Sequence, residues 1–190
     1  MKTHIIVLLC VFGATFLNAQ IDRRSKGGIG TGGGVKTPYG DWGIFYDYTP
    51  TILSKRLELN IGAGISQSLA IGLGSKFLIY HKLQRIELFL SLNYSYQVHG
   101  RVRYDAKNSV DYYATGTTQY IHYYLTGRFW FDRFAALQLN SGYSENLSGI
   151  RIRHSSGPNE NYNNVRKTLD SGLLIGVDLV VFLESKNGND

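Results

Sequence analysis

Beyond a glycine-rich start at 24–36, apolar and polar residues alternate with a period of two through most of the chain. The run at 85–99 is the clearest. Ile86, Leu88, Leu90, Leu92, Tyr94, Tyr96 and Val98 share one parity, and Glu87, Phe89, Ser91, Asn93, Ser95, Gln97 and His99 share the other. Successive side chains point to opposite faces only in a β-strand, so this run predicts a strand. A helix needs apolar residues at i, i+3, i+4 and i+7, and Glu87, Ser91 and Asn93 break that template.

The same pattern recurs on both sides. A weak first strand carries Ile29, Thr31 and Val35 among glycines, and Pro38-Tyr39-Gly40-Asp41 turns the chain. Trp42, Ile44, Tyr46 and Tyr48 predict a second strand, stopped by Pro50. Leu57, Leu59, Ile61, Ala63 and Ile65 predict a third, and Leu69, Ile71, Leu73, Phe77 and Ile79 a fourth. After the fifth, at 85–99, a polar connection runs from Gly100 to about Thr115. Ile121, Tyr123, Leu125, Phe129 and Phe131 predict a sixth strand; Leu137, Leu139 and Tyr143 a seventh, extending through Ile150 and Ile152. A second polar loop covers about 153–167. The last strand has Leu169, Ser171, Leu173, Ile175, Val177, Leu179 and Val181 on one parity. About eight strands joined in sequence as hairpins give an antiparallel, all-β fold.

Alternation leaves the faces open. A soluble lipocalin-like barrel turns its apolar parity inward, whereas an outer-membrane barrel turns it toward lipid and fills its lumen with the polar parity. Four features favour the second. The polar parity is Gly, Ser, Asn and Gln rather than long solvated charges. Its charges include both signs: Arg56, Lys76 and Arg128 against Asp47, Glu58, Glu87, Asp170 and Asp178. Such charges pair across a lumen, since burial is tolerable only when they are paired. Trp42, Tyr48, Tyr94, Tyr96, Phe131 and Tyr143 sit near the strand ends, where amphipathic rings favour a water–lipid boundary. Connections also alternate in length, apart from a short one between the third and fourth strands. The expectation is an eight-stranded antiparallel up-and-down transmembrane β-barrel.

The N-terminus adds a destination. Lys2 and His4 precede an apolar run from Ile5 to Leu17, ending at Ala19. That is the order of a secretory signal, and the run is too short for the roughly 20 residues of a spanning helix. The division is therefore a signal segment at 1–19, a barrel at 20–185 and a short polar tail at 186–190. Cys10, the only cysteine, falls in the signal, which leaves the mature chain without disulfides or thiolate chemistry.

The signal, the Gly-Gly-Ile-Gly-Thr-Gly-Gly-Gly start, the eight alternating segments and the closing Leu-Leu-Ile-Gly-Val-Asp-Leu-Val-Val-Phe resemble the outer-membrane β-barrel domain family. The chain is similar to its small, OmpA/OmpX-type, porin-like members from Gram-negative bacteria. The resemblance covers 20–185 as a pattern. It implies an outer-membrane location, contact with lipid and lipopolysaccharide, assembly by the barrel-assembly machinery, and a monomer. Family members usually end on an aromatic residue read during assembly; here Phe182 holds that place, with Leu183 to Asp190 following.

Candidate chemistry is sparse. The formal charge of +6 is spread along the chain, unlike the basic stripe of a nucleic-acid binder. Gly28, Gly30 and Gly33 match G-x-G-x-x-G, but no strand precedes and no helix follows, so a dinucleotide site is not expected. His122 between Tyr120 and Tyr124, and His154 beside Ser155 and Ser156, lack the role set of a hydrolase. His81, His99, His122 and His154 show no metal-ligand spacing. The expectation is a protein without enzyme activity, cofactor or metal. The polar connections carry Arg101, Arg103, Lys107, Arg151, Arg153, Arg166 and Lys167, which suit anionic headgroups or plain solvation. Gly62, Gly64, Gly72, Gly74, Gly172 and Gly176 leave room for a thin water path, plugged by the charged set. The function expected is structural or surface-interactive. The alternatives are a narrow channel, a lipid-modifying enzyme and a soluble ligand binder.

Overall fold

The structure is a computed structural model that describes residues 25–50, 56–65, 69–82, 85–98, 101–106, 109–131, 134–148, 152–156 and 169–184. The expected signal segment with Cys10, the tail at 186–190, and His99 lie outside these residues.

Eight strands close into a barrel: β1 (Ser25–Val35), β2 (Trp42–Tyr48), β3 (Leu57–Ile65), β4 (Leu69–Lys82), β5 (Ile86–Val98), β8 (Thr117–Trp130), β9 (Ala135–Asn146) and β11 (Gly172–Glu184). Each pairs antiparallel with the next along the chain, and β11 pairs back onto β1 from Ser25↔Glu184 to Val35↔Ile175. Closure leaves no unpaired sheet edge in the barrel.

The faces are inverted relative to a water-soluble core. Leu73 is 56% exposed and Ile61 58%, whereas Arg128, Asn93 and Ser91 are each 1% exposed. The apolar parity of every barrel strand faces out and the polar parity faces in. The bulge between Leu78 and Tyr80 shifts the pleat of β4, so Leu78 is buried while Ile79 and Tyr80 are both exposed.

Three differences from the sequence reading stand out. First, the two polar connections contain strands. β6 (Arg101–Ala106) and β7 (Ser109–Thr115) form a hairpin between β5 and β8, and β10 (Ile152–Ser156) adds to β7. Their alternation is hidden because charged residues occupy it. Second, β9 stops at Asn146, and Ile152 opens β10 instead of prolonging β9. Third, β11 starts at Gly172. Leu169 lies before it, buried, with its carbonyl accepting from Tyr120 Oη and Asn146 Nδ2, each at 2.7 Å.

By connectivity, one end of the barrel carries the turn at 36–41, the connection at 66–68 and the segments holding β6, β7 and β10. This is the upper end below. The start of β1 and the end of β11 lie at the lower end.

Candidate functional site

The lumen holds the candidate chemistry. Its lower half is built on charge. Arg128 of β8 donates from Nη1 to Glu58 Oε1 at 2.8 Å and from Nη2 to Glu58 Oε2 at 2.7 Å. Nη1 also reaches Glu87 at 3.1 Å, and Nη2 reaches Asp47 at 3.4 Å. Lys76 Nζ bonds both Asp47 oxygens, at 2.9 and 2.7 Å, and Gln138 Oε1 at 3.0 Å. The Arg128 guanidinium lies 4.6 Å from the Phe89 ring centre and 4.8 Å from that of Phe182. Enclosure strengthens such pairs, and it makes losing one partner expensive.

Of the charges expected in the lumen, Asp47, Glu58, Lys76, Glu87 and Arg128 meet in this cluster. Asp178 is nearby but separate: its carboxylate accepts from Asn140 Nδ2 at 2.6 Å. Arg56 is half-buried at the lower rim, where its carbonyl accepts from the Leu78 N–H at 2.8 Å. Asp170 is corrected: it is exposed on the upper rim, because β11 begins two positions later and Asp170 never enters the pleat. Phe182, expected at the terminal position read during assembly, faces inward at 4% exposure and packs on Trp130 with ring centres 4.6 Å apart. Parity decides this, since Val181 and Leu183 take the outer face.

The upper half is filled by a turn the sequence reading treated as an ordinary connection. Residues 37–40 fold into the barrel and are buried. The Gly40 N–H donates to the Thr37 carbonyl at 3.1 Å, and Gly40 takes φ 84°, a conformation glycine adopts without strain. Tyr39 stacks on Phe45, with ring centres 5.3 Å apart and planes 14° apart, and its hydroxyl accepts from Asn93 at 3.3 Å.

The luminal glycines exist for this turn. A Cβ at Gly62 would sit 2.7 Å from the Tyr39 ring, and one at Gly72 would sit 3.0 Å from it. One at Gly64 would strike the Tyr39 carbonyl. Gly176 faces Thr37, Gly172 faces the Lys36 side chain, and Gly74 faces Asn93. The expected thin water path along these six glycines is therefore corrected: protein atoms occupy the space at each. The glycines of the G-x-G-x-x-G match lie in β1, where Gly28 faces the Phe182 ring and Gly30 the Phe45 ring. No phosphate cradle forms there.

Ser95 Oγ lies 2.7 Å from His122 Nε2, the spacing of a nucleophile and its base. Ser95 is 0% exposed and does not line the cavity described below. Ser155, Ser156 and His154 lie at β10, whose backbone pairs with β7. Among the described residues no group of three or more His, Cys, Asp and Glu is placed to hold a metal ion. His81 Nδ1 approaches Glu87 Oε1 at 3.6 Å.

The remaining feature is a cavity of about 250 Å³ at the upper mouth, between the inward turn and the walls of β5, β8 and β9. Lys36 stands at its edge with φ 54°, a conformation uncommon for a side-chain-bearing residue. Its ammonium donates to the Asp170 carbonyl. Partial burial lowers the Lys36 pKa from the usual lysine value, and the Asp170 charge opposes that shift.

The basic residues of the two connections are divided. Arg101, Arg103 and Arg153 lie in the three-stranded sheet, where Arg101 and Arg153 are the register partners of Ala114 from either side and Arg103 is that of Tyr112. Lys107, Arg151, Arg166 and Lys167 lie outside the described residues.

Sequence reasoning missed Tyr39, Lys36, Gln138 and Ser144. A signal existed for Tyr39: Gly43, Gly62, Gly64 and Gly72 become one patch once β2, β3 and β4 are paired in register. The fold and lumen define an eight-stranded meander barrel with a polar, ion-paired interior. No family model, curated protein or solved structure matches the chain.

Proposed function

We propose that this chain is an outer-membrane β-barrel protein with a structural or surface-interaction role, related to the small OmpA/OmpX-type barrels. The observation that carries the reading is the outward apolar parity. Ile44, Ile61, Leu73, Leu90, Leu125, Leu139 and Val177 all stand exposed on a barrel whose charges are enclosed. Contiguous exposed apolar surface of this extent needs a non-aqueous neighbour. In a bilayer each of these side chains gains an apolar solvent, and the closed hydrogen-bond ladder satisfies the backbone.

Aromatic residues support the same reading. Trp42, Tyr96, Tyr123 and Tyr143 lie toward the upper strand ends; Tyr48, Tyr80, Phe129 and Phe131 lie toward the lower. Two such girdles suit the two interfaces of a membrane. The lower end, where β1 starts and β11 ends, then faces the periplasm. The upper end faces outward, and Arg101, Arg103 and Arg153 there suit lipopolysaccharide phosphates. Export through a cleaved signal, insertion by the barrel-assembly machinery and a monomeric state belong to this reading, as does a role without catalysis.

The test is extraction. The protein should stay with the membrane fraction in buffer, dissolve in detergent, and migrate faster on a gel unboiled than boiled. A monomer that remains soluble without detergent overturns the reading.

A further inference from the structure

We propose that the upper mouth is a binding site for a small neutral polyol, of the size of one sugar unit. The cavity holds about 250 Å³, below the roughly 300–1,000 Å³ of drug-sized sites. Gln97 of β5, Tyr120 and His122 of β8 and Ser144 of β9 form its inner wall, and Lys36 and Asp41 of the turn form its outer one.

One group on the inner wall calls for a partner. Ser144 is 0% exposed, and its hydroxyl makes no hydrogen bond. His122 beside it is 1% exposed; its Nε2 is engaged by Ser95 and its ring is hydrogen-bonded to the Lys36 backbone. The two residues are register partners across β8 and β9. Most buried polar atoms in folded proteins are paired, so an unpaired Ser144 hydroxyl on a cavity wall marks a site. The strained backbone of Lys36 at the same mouth agrees, since such strain concentrates at ligand clamps.

The donor and acceptor set selects the ligand class. Lys36 only donates, Asp41 only accepts, and Gln97 and Ser144 do both. A hydroxyl group does both as well, so a polyol can satisfy every member. A simple anion would face the Asp41 carboxylate, and a simple cation the Lys36 ammonium. The Tyr120 hydroxyl already bonds the Leu169 carbonyl at 2.7 Å, so Tyr120 contributes ring rather than hydroxyl to the wall. This inference stands apart from whatever surrounds the barrel.

Saturation-transfer NMR on the full chain, in a phosphocholine detergent free of sugar headgroups, decides it. The probes are glucose, galactose and mannose, with inorganic phosphate titrated separately by phosphorus NMR. At least one hexose should show transfer, with Kd on the order of millimolar. Ser144→Val should weaken it about tenfold, the effect of one lost hydrogen bond. Lys36→Met, in the turn and outside the strands, should weaken it too and decides the matter if Ser144→Val fails to fold. No transfer to any hexose, transfer unchanged in the folded variants, or binding of phosphate alone overturns the proposal.

Discussion

Arg128 holds Glu58 through two hydrogen bonds of 2.8 and 2.7 Å across a lumen, although 70 positions of sequence separate them. Neither takes its register partner as sole companion. Glu58 pairs with Lys76 in the β3–β4 ladder, and Arg128 pairs with Glu87 in the β5–β8 ladder. Lys76 turns to Asp47 instead, which is also within reach of Arg128. The cluster therefore ties β2, β3, β4, β5 and β8 together from inside.

Replacing Arg128 by Met should destabilise the barrel strongly. It leaves Glu58 and Glu87 buried without their cation, a change that costs about 3–5 kcal/mol for a broken buried pair. Urea unfolding in micelles, followed by tryptophan fluorescence, measures it. Arg128→Lys keeps the charge but loses the two-pronged grip, and it should cost less. Equal stability of Arg128→Met and the native chain would contradict the cluster.

The glycines of the barrel should divide by what they face. In Gly64→Val the new side chain runs into the carbonyls of Tyr39 and Trp42, which are backbone and cannot swing aside. That should cost about 1–3 kcal/mol and shows as an earlier urea midpoint. At Gly127 an added Cβ meets only the Phe129 ring at 3.3 Å, so Gly127→Ala should unfold near the native midpoint.

Conduction should be absent in the native chain. Tyr39 on Phe45 blocks the upper half, and Arg128 among Phe89, Phe182 and Trp130 blocks the lower. Tyr39→Ala opens only the first of these, so planar-bilayer recordings should stay silent for the variant as well. Steady open steps from either protein would show that the side chains do not seal the lumen.

Much of this was legible in the sequence. A period of two identifies strands such as β5 without tertiary information, because the pleat alone dictates it. The small polar character of the inward parity, Ser91, Asn93, Ser95 and Gln97, pointed to the enclosed face. Mixed-sign charge identified five of the residues that meet in the cluster. Three-dimensional pairing was needed for the rest. Tyr39 reads as a turn residue until register stacks the glycines opposite it. β6 and β7 read as polar loop because Arg101, Arg103, Asp105 and Asp111 occupy strand positions. Asp170 was misread because the position where β11 starts is a tertiary fact.

Leu90→Arg places a charge on the outer face in mid-strand. In a bilayer this costs about 2–4 kcal/mol at mid-depth, and the yield of the heat-modifiable form should fall. Normal assembly of this variant would place Leu90 against water or protein.

The central claim, that the outward parity meets lipid, is tested most directly by a spin-label scan along β5 in lipid bilayers. Single cysteines at 88 to 93, in a Cys10→Ser background, carry the label. Oxygen, which concentrates in the bilayer, should relax the labels at 88, 90 and 92 strongly and those at 89, 91 and 93 weakly. A water-soluble nickel chelate should reach none of the outer three. Strong relaxation of the outer three by the nickel chelate, or no alternation with oxygen, would contradict a lipid-facing barrel.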